Sequence, residues 1–326
     1  GLVGNDAGAG YYSYMALYDS KQNHNTGAYY LSQLANTKLK WETGASFGIG
    51  VDARLFNRWN ISAEYFDKRN KDLLFNVYLP LSAGATSSSS AEATITENMG
   101  TISNRGFEIN TDVDIFKNKD WTVNLSANAS FIKNKIVELP EQDKDGIISG
   151  IYKIAEGKSR YEFFTYTYVG VDQMTGNSLY KANLENYHVT TADGQTVGNA
   201  DGNDISKYVT QIGNEYYVNN TSYALKEYHG SAIPKVYGSF APSVRYKDLS
   251  LSLMFTYSIG GKVYDAVYSS LMSTGTTPSN YHKDILKSWS EIPSGMTEDS
   301  QDRIWYGGIP QINSSMTSTN NATSSR

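Results

Sequence analysis

Between Asn98 and Leu139 the chain alternates apolar and polar residues for two long stretches. Phe107, Ile109, Thr111, Val113 and Ile115 hold the odd positions, and Glu108, Asn110, Asp112 and Asp114 the even ones. After the polar stretch Lys117-Asn-Lys-Asp120 the alternation resumes with Trp121, Val123, Leu125, Ala127, Ala129 and Phe131 against Thr122, Asn124, Ser126, Asn128 and Ser130. A period of two with carboxylates on one face alone predicts strands, and the short polar break between them predicts a hairpin. Each arm alternates for about ten residues, or roughly 33 Å of strand. Strands of soluble domains run about five or six residues, whereas a strand crossing a bilayer at a tilt needs about nine to eleven. The length therefore predicts a membrane barrel, with the apolar face toward lipid and the polar face toward a wet lumen.

The same alternation returns elsewhere. Phe47, Ile49, Val51, Ala53 and Leu55 alternate with Gly48, Gly50, Asp52 and Arg54, turn near Phe56-Asn-Arg58, and return through Trp59, Ile61, Ala63 and Tyr65. Tyr161 to Val171 with a return arm at Ser178-Leu-Tyr-Lys181, and Val236 to Tyr246 with Leu249 to Tyr257, predict two more hairpins. Pro242 lies inside an arm, where it fits a bulge or an unpaired edge. Tight turns fall at 56–58, 117–120, 172–177 and 247–248, and long excursions at 6–37, 81–92, 140–159, 182–234 and 269–326. Short and long alternate throughout, as the periplasmic turns and outer loops of bacterial barrels do. Past Ser269 the strand pattern stops. Ser279-Asn280 is placed to cap a short helix carrying Ile285, Leu286 and Trp289 on one side, and Asn313 to Arg326 is a Ser/Thr/Asn tract.

Composition agrees with a barrel. Among 326 residues there are 26 Tyr, 28 Gly and 7 Pro, and the hydrophobic fraction is 40%, which suits a sheet apolar at alternate positions with aromatic girdles. No run approaches the roughly 18 apolar residues of a transmembrane helix. The net charge of −5 and the lack of a basic block argue against a nucleic-acid partner. With no cysteine, thiol catalysis, thiolate metal sites and disulfides are excluded together. Gly1-Leu-Val-Gly-Asn-Asp6 lacks the pattern of a signal peptide, so such a segment was removed or the chain is an internal piece.

Five ordered motifs, over about residues 1–290, carry a family resemblance. Leu39-Lys-Trp-Glu42, Glu64-Tyr-Phe-Asp-Lys68 with Asp72-Leu-Leu74, Asn98-x-Gly100 with Asn104-Arg-Gly106-Phe-Glu108, Phe131-x-Lys-Asn-Lys-Ile136, and Gly170-Val-Asp172 with Gly176 resemble the C-terminal half of a SusC/RagA-type TonB-dependent transporter. The resemblance implies a 22-stranded outer-membrane barrel of Bacteroidota, plugged by an N-terminal domain and energised by the TonB complex. It also implies a SusD-like surface lipoprotein that captures glycans or peptides. Neither a plug, nor a TonB-contacting segment, nor an aromatic-ended final strand is recognisable. Residues 1–326 are therefore expected to be a partial barrel domain of about eight long antiparallel strands, open at two edges, without enzymatic activity or cofactor.

Candidate chemistry is sparse. Glu141-Gln-Asp143-Lys-Asp145-Gly146 has the acidic spacing of a calcium loop, but its twelfth position, where a bidentate Glu belongs, is Tyr152. Asp193-Gly194 and Asp201-Gly-Asn-Asp204 read as turns first. His24, His188, His229 and His282 all fall in expected loops without helical pairing. Asp52, Arg54, Glu108, Asp112 and Asp114 are expected to line the lumen. Tyr187, Tyr216, Tyr217, Tyr223, Tyr228 and Tyr281, in the long loops, suit stacking on sugars or a partner surface and equally suit loops packing on one another. Val123, Leu125, Leu251, Leu253 and Phe255 are expected to face lipid. The alternative reading is a soluble or surface-exposed β-protein that binds or hydrolyses glycans; its strands would be about half as long, and hydrolysis would need two convergent carboxylates.

Overall fold

The structure, a computed structural model, describes residues 1–5, 10–23, 26–78, 94–272 and 280–312. Its residues divide into two compact units. The first comprises 1–149, 153–162 and 231–262, and the second 150–152, 163–230 and 263 onward.

The first unit is built on one antiparallel sheet. Its order is Leu2–Asn5, Glu42–Leu55, Trp59–Lys71, Thr101–Lys117, Trp121–Glu138, Val236–Tyr246, and then Leu249–Ser252 together with Phe255–Ile259, which both pair with Val236–Tyr246. The five central strands have 14, 13, 17, 18 and 11 residues. Eight strands with two open edges match the expected architecture, but their membership differs. The hairpin expected at 161–181 lies in the second unit, and its places are taken by Leu2–Asn5 and by the splitting of the last strand. Trp121–Glu138 pairs directly with Val236–Tyr246, so residues 139–235 are one excursion and the turn at 172–177 does not belong to this sheet. The expected alternation of short and long connections fails there, because a hairpin pattern says nothing about which sheet will receive the hairpin.

Pro242 explains the split. Its carbonyl accepts from Leu253 N at 3.0 Å, so its missing N–H faces the last strand, where the ladder lapses at Leu253 and Met254. The tight turns form as expected. Phe56 and Asn57 have φ of 51° and 55°, Lys247 has 50°, and the Asn118 carboxamide accepts from the N–H groups of Asp120 and Trp121 at 2.9 and 2.7 Å.

Four of the excursions expected to be loops, 6–37, 140–159, 182–234 and 269–326, carry strands. Leu17–Asn23 and Thr26–Leu34 form a hairpin inside 6–37, and Thr26–Leu34 runs parallel to Thr94–Asn98, which pairs in turn with Leu74–Tyr78. The loop at 81–92 lies outside the described residues.

The second unit is a small packed module. Val209–Ile212, Glu215–Val218, Ser178–Lys181, Tyr168–Asp172 and Ile304–Tyr306 form a five-stranded sheet; Thr196–Gly198, Tyr187–Thr190 and Asn203–Asp204 form a second of three. Tyr168, Tyr180, Ala182, Val189, Ile205, Val218 and Ala224 pack as its core. The segment 182–234 is thus a folded region and not an open loop, and a strand appears at Ile304–Tyr306 where the sequence pattern showed none. A helix spans Ala266–Met272 and a 3-10 turn spans Lys283–Lys287, capped by His282, whose Nδ1 accepts from Asp284 N. Ile285 and Trp289 are half-buried as expected, but Leu286 is 87% exposed because three residues per turn do not stack it over them. Ser279 lies outside the described residues.

Candidate functional site

Directly paired residues of an antiparallel sheet share a face, so the register divides the large sheet into two surfaces. One carries Ile49, Tyr65, Phe107, Phe131 and Val236 in one row, then Val51, Ala63, Ile109 and Ala129, then Ala53, Ile61, Thr111, Ala127 and Phe240. It continues through Leu55, Trp59, Val113 and Leu125 to a last row of Trp121, Tyr246 and Leu249. Ten residues of strand separate Trp121 from Phe131, about 34 Å along the strand and about 25 Å once tilted, the height of an apolar membrane band. Aromatic residues bound it at both ends. The Trp59 indole donates to Thr111 Oγ1 at 2.7 Å, and Trp121 packs on Tyr246 with ring centroids 4.4 Å apart.

This surface is exposed: Val51, Leu251 and Leu249 show 68%, 60% and 76% of their area. Of the five residues expected here, Leu251, Leu253 and Phe255 are exposed, whereas Val123 and Leu125 are half-buried because a central strand is flanked on both sides.

The opposite surface carries the expected lumen residues. Arg54, Asn60, Asp112 and Ser126 form one row, Asp52, Ser62, Asn110, Asn128 and Ser239 the next, and Glu64, Glu108 and Ser130 another. Ser126 Oγ donates to Asp112 at 2.6 Å, and Asn124 Nδ2 to Asp114 at 3.2 Å, with Lys117 Nζ 3.8 Å from the same carboxylate. Asn128 Nδ2 donates to Ser239 Oγ at 2.8 Å. Glu64 stands directly opposite Glu108, a like-charge pair that is tolerated in water and costly in a dry core. The motif glycine Gly106 packs beneath the Phe66 ring on this face, where a Cβ would lie 2.6 Å from Phe66 Cζ and 2.2 Å from Phe131 O. Chemically the surface is a wet wall of hydrogen-bonding groups with excess negative charge.

The expected loop tyrosines occupy the second unit. Tyr217 is 9% exposed and packs against Leu179 and Ile304, while Tyr187, Tyr216 and Tyr223 flank the core. Tyr223 stacks on Tyr208 at 4.7 Å and meets Tyr187 edge-on at 5.4 Å, Tyr228 lies 5.0 Å from Phe164, and Tyr281 is exposed. Tyr208, with Lys207 Nζ 4.7 Å from its ring, was not singled out by the sequence; its signal was the adjacent cation.

The histidines do not converge. His229 Nε2 lies 3.2 Å from Thr165 O, and His188 Nε2 lies 3.9 Å from Asp204, while His24 lies outside the described residues. Asp204 accepts from the Ser206 hydroxyl and N–H and from Thr190, which hold its carboxyl down at about 2. The calcium-like segment makes a 3-10 turn at Glu141–Asp143, from which Lys144 reaches Glu156 at 2.7 Å. Among the described residues no three His, Asp or Glu groups are placed to hold a metal.

Sequence reasoning missed a buried ion pair. Asp172, from the Gly170-Val-Asp motif, receives Arg303 Nε at 2.9 Å and Nη2 at 3.0 Å, with Met174 N at 3.0 Å and Thr175 Oγ1 at 3.2 Å. Burial pushes its pKa up, but the guanidinium, the Met174 N–H and the Thr175 hydroxyl outweigh burial and leave it below the ordinary value. Trp289 Nε1 donates to Gln173 O at 3.1 Å, and Gly176, at φ 72°, lies against the Trp289 ring with no room for a Cβ. The motif is thus a clasp that ties residues 289–311 to the 168–181 hairpin.

The family model described as TonB dependent receptor-like, beta-barrel matches residues 5–223. The chain is 28% identical over 269 residues to TonB-dependent receptor P3 of Formosa agariphila, an alignment covering 80% of this chain and 24% of that one. It is also 28% identical over 126 residues to TonB-dependent receptor SusC of Bacteroides thetaiotaomicron, covering 38% and 12% respectively. A solved structure of the RagAB peptide transporter superposes with a TM-score of 0.61 at 23% identity, over 95% of this chain and 31% of that chain. The chain therefore spans about a quarter of the length of the first curated relative. These relatives are receptors and transporters by name, a non-enzymatic group.

Proposed function

The chain belongs to the TonB-dependent receptor-like β-barrel family, and from that premise we propose that its large sheet is part of the wall of an active importer in the outer membrane. In the complete protein the sheet continues at both edges into a closed barrel, with an N-terminal plug and the segment that contacts the TonB complex supplied from elsewhere. The cargo is a polar polymer, an oligosaccharide or a peptide, passing along the Asp52, Glu108, Asp112 face. A SusD-like lipoprotein delivers it from the cell exterior, and Tyr208 and Tyr281 of the second unit supply contact surface for that partner.

One observation carries the reading. Strands of up to 18 residues place an exposed apolar band between two aromatic rows on one face, and a like-charged polar wall on the other. Hydrogen-bonded backbone with no free edge inside lipid is possible for a sheet only as a closed barrel.

Residues 1–326 contain no cysteine, so single cysteines can be introduced among them in a full-length protein whose remaining residues have been cleared of any cysteine. Positions 51, 61, 109 and 255 should be silent to a membrane-impermeant maleimide and react with a lipid-soluble one, while positions 52, 62, 110 and 256 should do the reverse. Equal reactivity of both sets toward the impermeant reagent would overturn the membrane-wall reading. Co-purification of a lipoprotein partner, compared between wild type and Tyr208→Ala with Tyr281→Ala, tests the outward contact; unchanged capture and uptake would remove those residues from it.

A further inference from the structure

The apolar face does not end evenly. At the short-turn end it stops at Trp121, Tyr246 and Leu249. At the other end, directly beyond the Tyr65, Phe107, Phe131 row, the same face carries Asp67, Arg105 and Lys133 in one row and Arg69, Ser103 and Lys135 in the next, with Lys71 beyond. Lys235 lines the same shallow depression as Arg105, Phe107, Phe131 and Lys133. Two carboxylates, Asp67 and Glu138, stand among these six cations.

Asp67 is already engaged, 2.8 Å from Arg69 and hydrogen-bonded to it in bidentate fashion. Lys71, Lys133, Lys135 and Lys235 are exposed and make no ion pair among the described residues, and Arg105, also exposed, stands across from Asp67 and feels its charge without forming a direct ion pair. Neighbouring strands lie about 4.8 Å apart and alternate residues about 7 Å apart, so Arg105, Lys133 and Lys135 can converge on one anion. Six cations against two carboxylates on a face that is otherwise apolar are unexpected for a surface meeting hydrocarbon alone. They are what a surface meeting acyl chains below and anionic headgroups above requires. The belt lies at the end of the long excursions, which in bacterial barrels is the outer side.

We propose that Arg105, Lys133 and Lys135, with Arg69, Lys71 and Lys235 around them, form a docking surface for the phosphate groups of a phosphorylated glycolipid of the outer leaflet. Its acyl chains lie along the Tyr65, Phe107, Phe131 row. Guanidinium and ammonium donors make charge-assisted bonds to phosphate oxygens, and the aromatic row supplies the apolar floor. The charge complementarity sets the occupant: a zwitterionic lipid or an apolar chain leaves the cations uncompensated. The proposal rests on the outer-membrane reading, whose own test, the alternation of cysteine labelling, does not involve these residues.

The experiment uses the full-length protein extracted in detergent and native mass spectrometry with four probes: bisphosphorylated lipid A, the same lipid with its phosphates removed, phosphatidylethanolamine, and inorganic phosphate. The variant carries Arg105→Gln, Lys133→Gln and Lys135→Gln; the control carries Lys117→Gln and Lys119→Gln at the short-turn end. Wild type and control should retain the phosphorylated lipid, and the variant should bind it about ten- to a hundredfold more weakly. Equal retention by wild type and variant would overturn the proposal, as would equal binding of the dephosphorylated lipid. Displacement of the lipid by millimolar inorganic phosphate would assign the belt to free anions and overturn the lipid assignment. Should the triple variant fail to assemble, Lys133→Gln alone and a salt titration of the wild type decide the matter, because retention without salt dependence excludes the phosphate contact.

Discussion

The large sheet and the smaller unit are both made of period-two strands rich in tyrosine, yet they solve opposite problems. In the sheet, Ile49, Val51, Leu251 and Phe255 are exposed, and few side chains, among them Phe66 and Ile136, are buried. In the smaller unit, Val171, Tyr180 and Val218 have no exposure at all. The first supplies strands long enough to span a bilayer and leaves its apolar face exposed; the second folds strands of two to six residues around its own core. Alternation tells which residues share a face. It does not tell what covers that face.

Four sets of substitutions would break or sharpen this contrast. The largest effect is expected from Arg303→Ala, which leaves Asp172 buried beside an unpaired site and should cost about 3–5 kcal/mol. Hydrogen exchange should accelerate across 168–181 and 289–311 while the Trp121–Glu138 amides stay protected; protection of both regions would show the clasp to be dispensable. The same pair gives a pH signature. Since the Asp172 pKa is lowered in the fold, its contribution is complete above the ordinary value of 3.8 and is lost as pH falls through the lower folded value. Strong acid should thus loosen the clasp, with no change between neutral and mildly acidic pH.

Next comes the lipid-facing surface. Phe255→Arg, near the middle of the apolar band and stacked on Phe240 at 4.9 Å, should impair assembly by about 2–4 kcal/mol. Leu251→Arg, one row from the short-turn end, should cost less, and Thr256→Arg on the polar face close to nothing. Urea titration of the protein refolded into bilayers measures all three; equal costs at positions 255 and 256 would erase the distinction between faces.

Gly106→Ala should cost about 1–3 kcal/mol, because the new methyl meets Phe66 and the Phe131 carbonyl on a face otherwise open to water. The expected readout is slower assembly, and Phe66→Leu in the same background should recover part of it. Smallest is Lys247→Gly. With φ at 50°, the lysine pays for a left-handed turn that glycine adopts freely, so the variant should gain about 0.5–1 kcal/mol in the same titration.

Much of the sheet was legible because its information is local. The turns at 56–58, 117–120 and 247–248 and the faces of Asp52, Glu108 and Asp112 follow from spacing within about fifteen residues, whereas the arms expected at about ten residues run to 17 and 18 in Thr101–Lys117 and Trp121–Glu138. Pro242 was legible as a misfit, although what it interrupts depended on the strand opposite. The tyrosine segment was not legible in the same way. Tyr217 and Tyr223 look like loop aromatics in sequence, and their packing became apparent once Glu215–Val218 was seen beside Ser178–Lys181.

Local alternation, turn chemistry and strand length established an all-β chain with one wet face and one apolar face. Which strands became neighbours was settled by contacts across more than a hundred residues: Trp121–Glu138 with Val236–Tyr246, Gly170 with Tyr306, Asp172 with Arg303. Nearer pairings, of Trp59–Lys71 with Thr101–Lys117 and of Thr101–Lys117 with Trp121–Glu138, brought the cations of three strands into one belt. The physical reason is the two-residue period of a strand: it sets the direction of every side chain from the chain itself, while a backbone N–H or C=O accepts any partner edge, so pairing is chosen by the assembled fold.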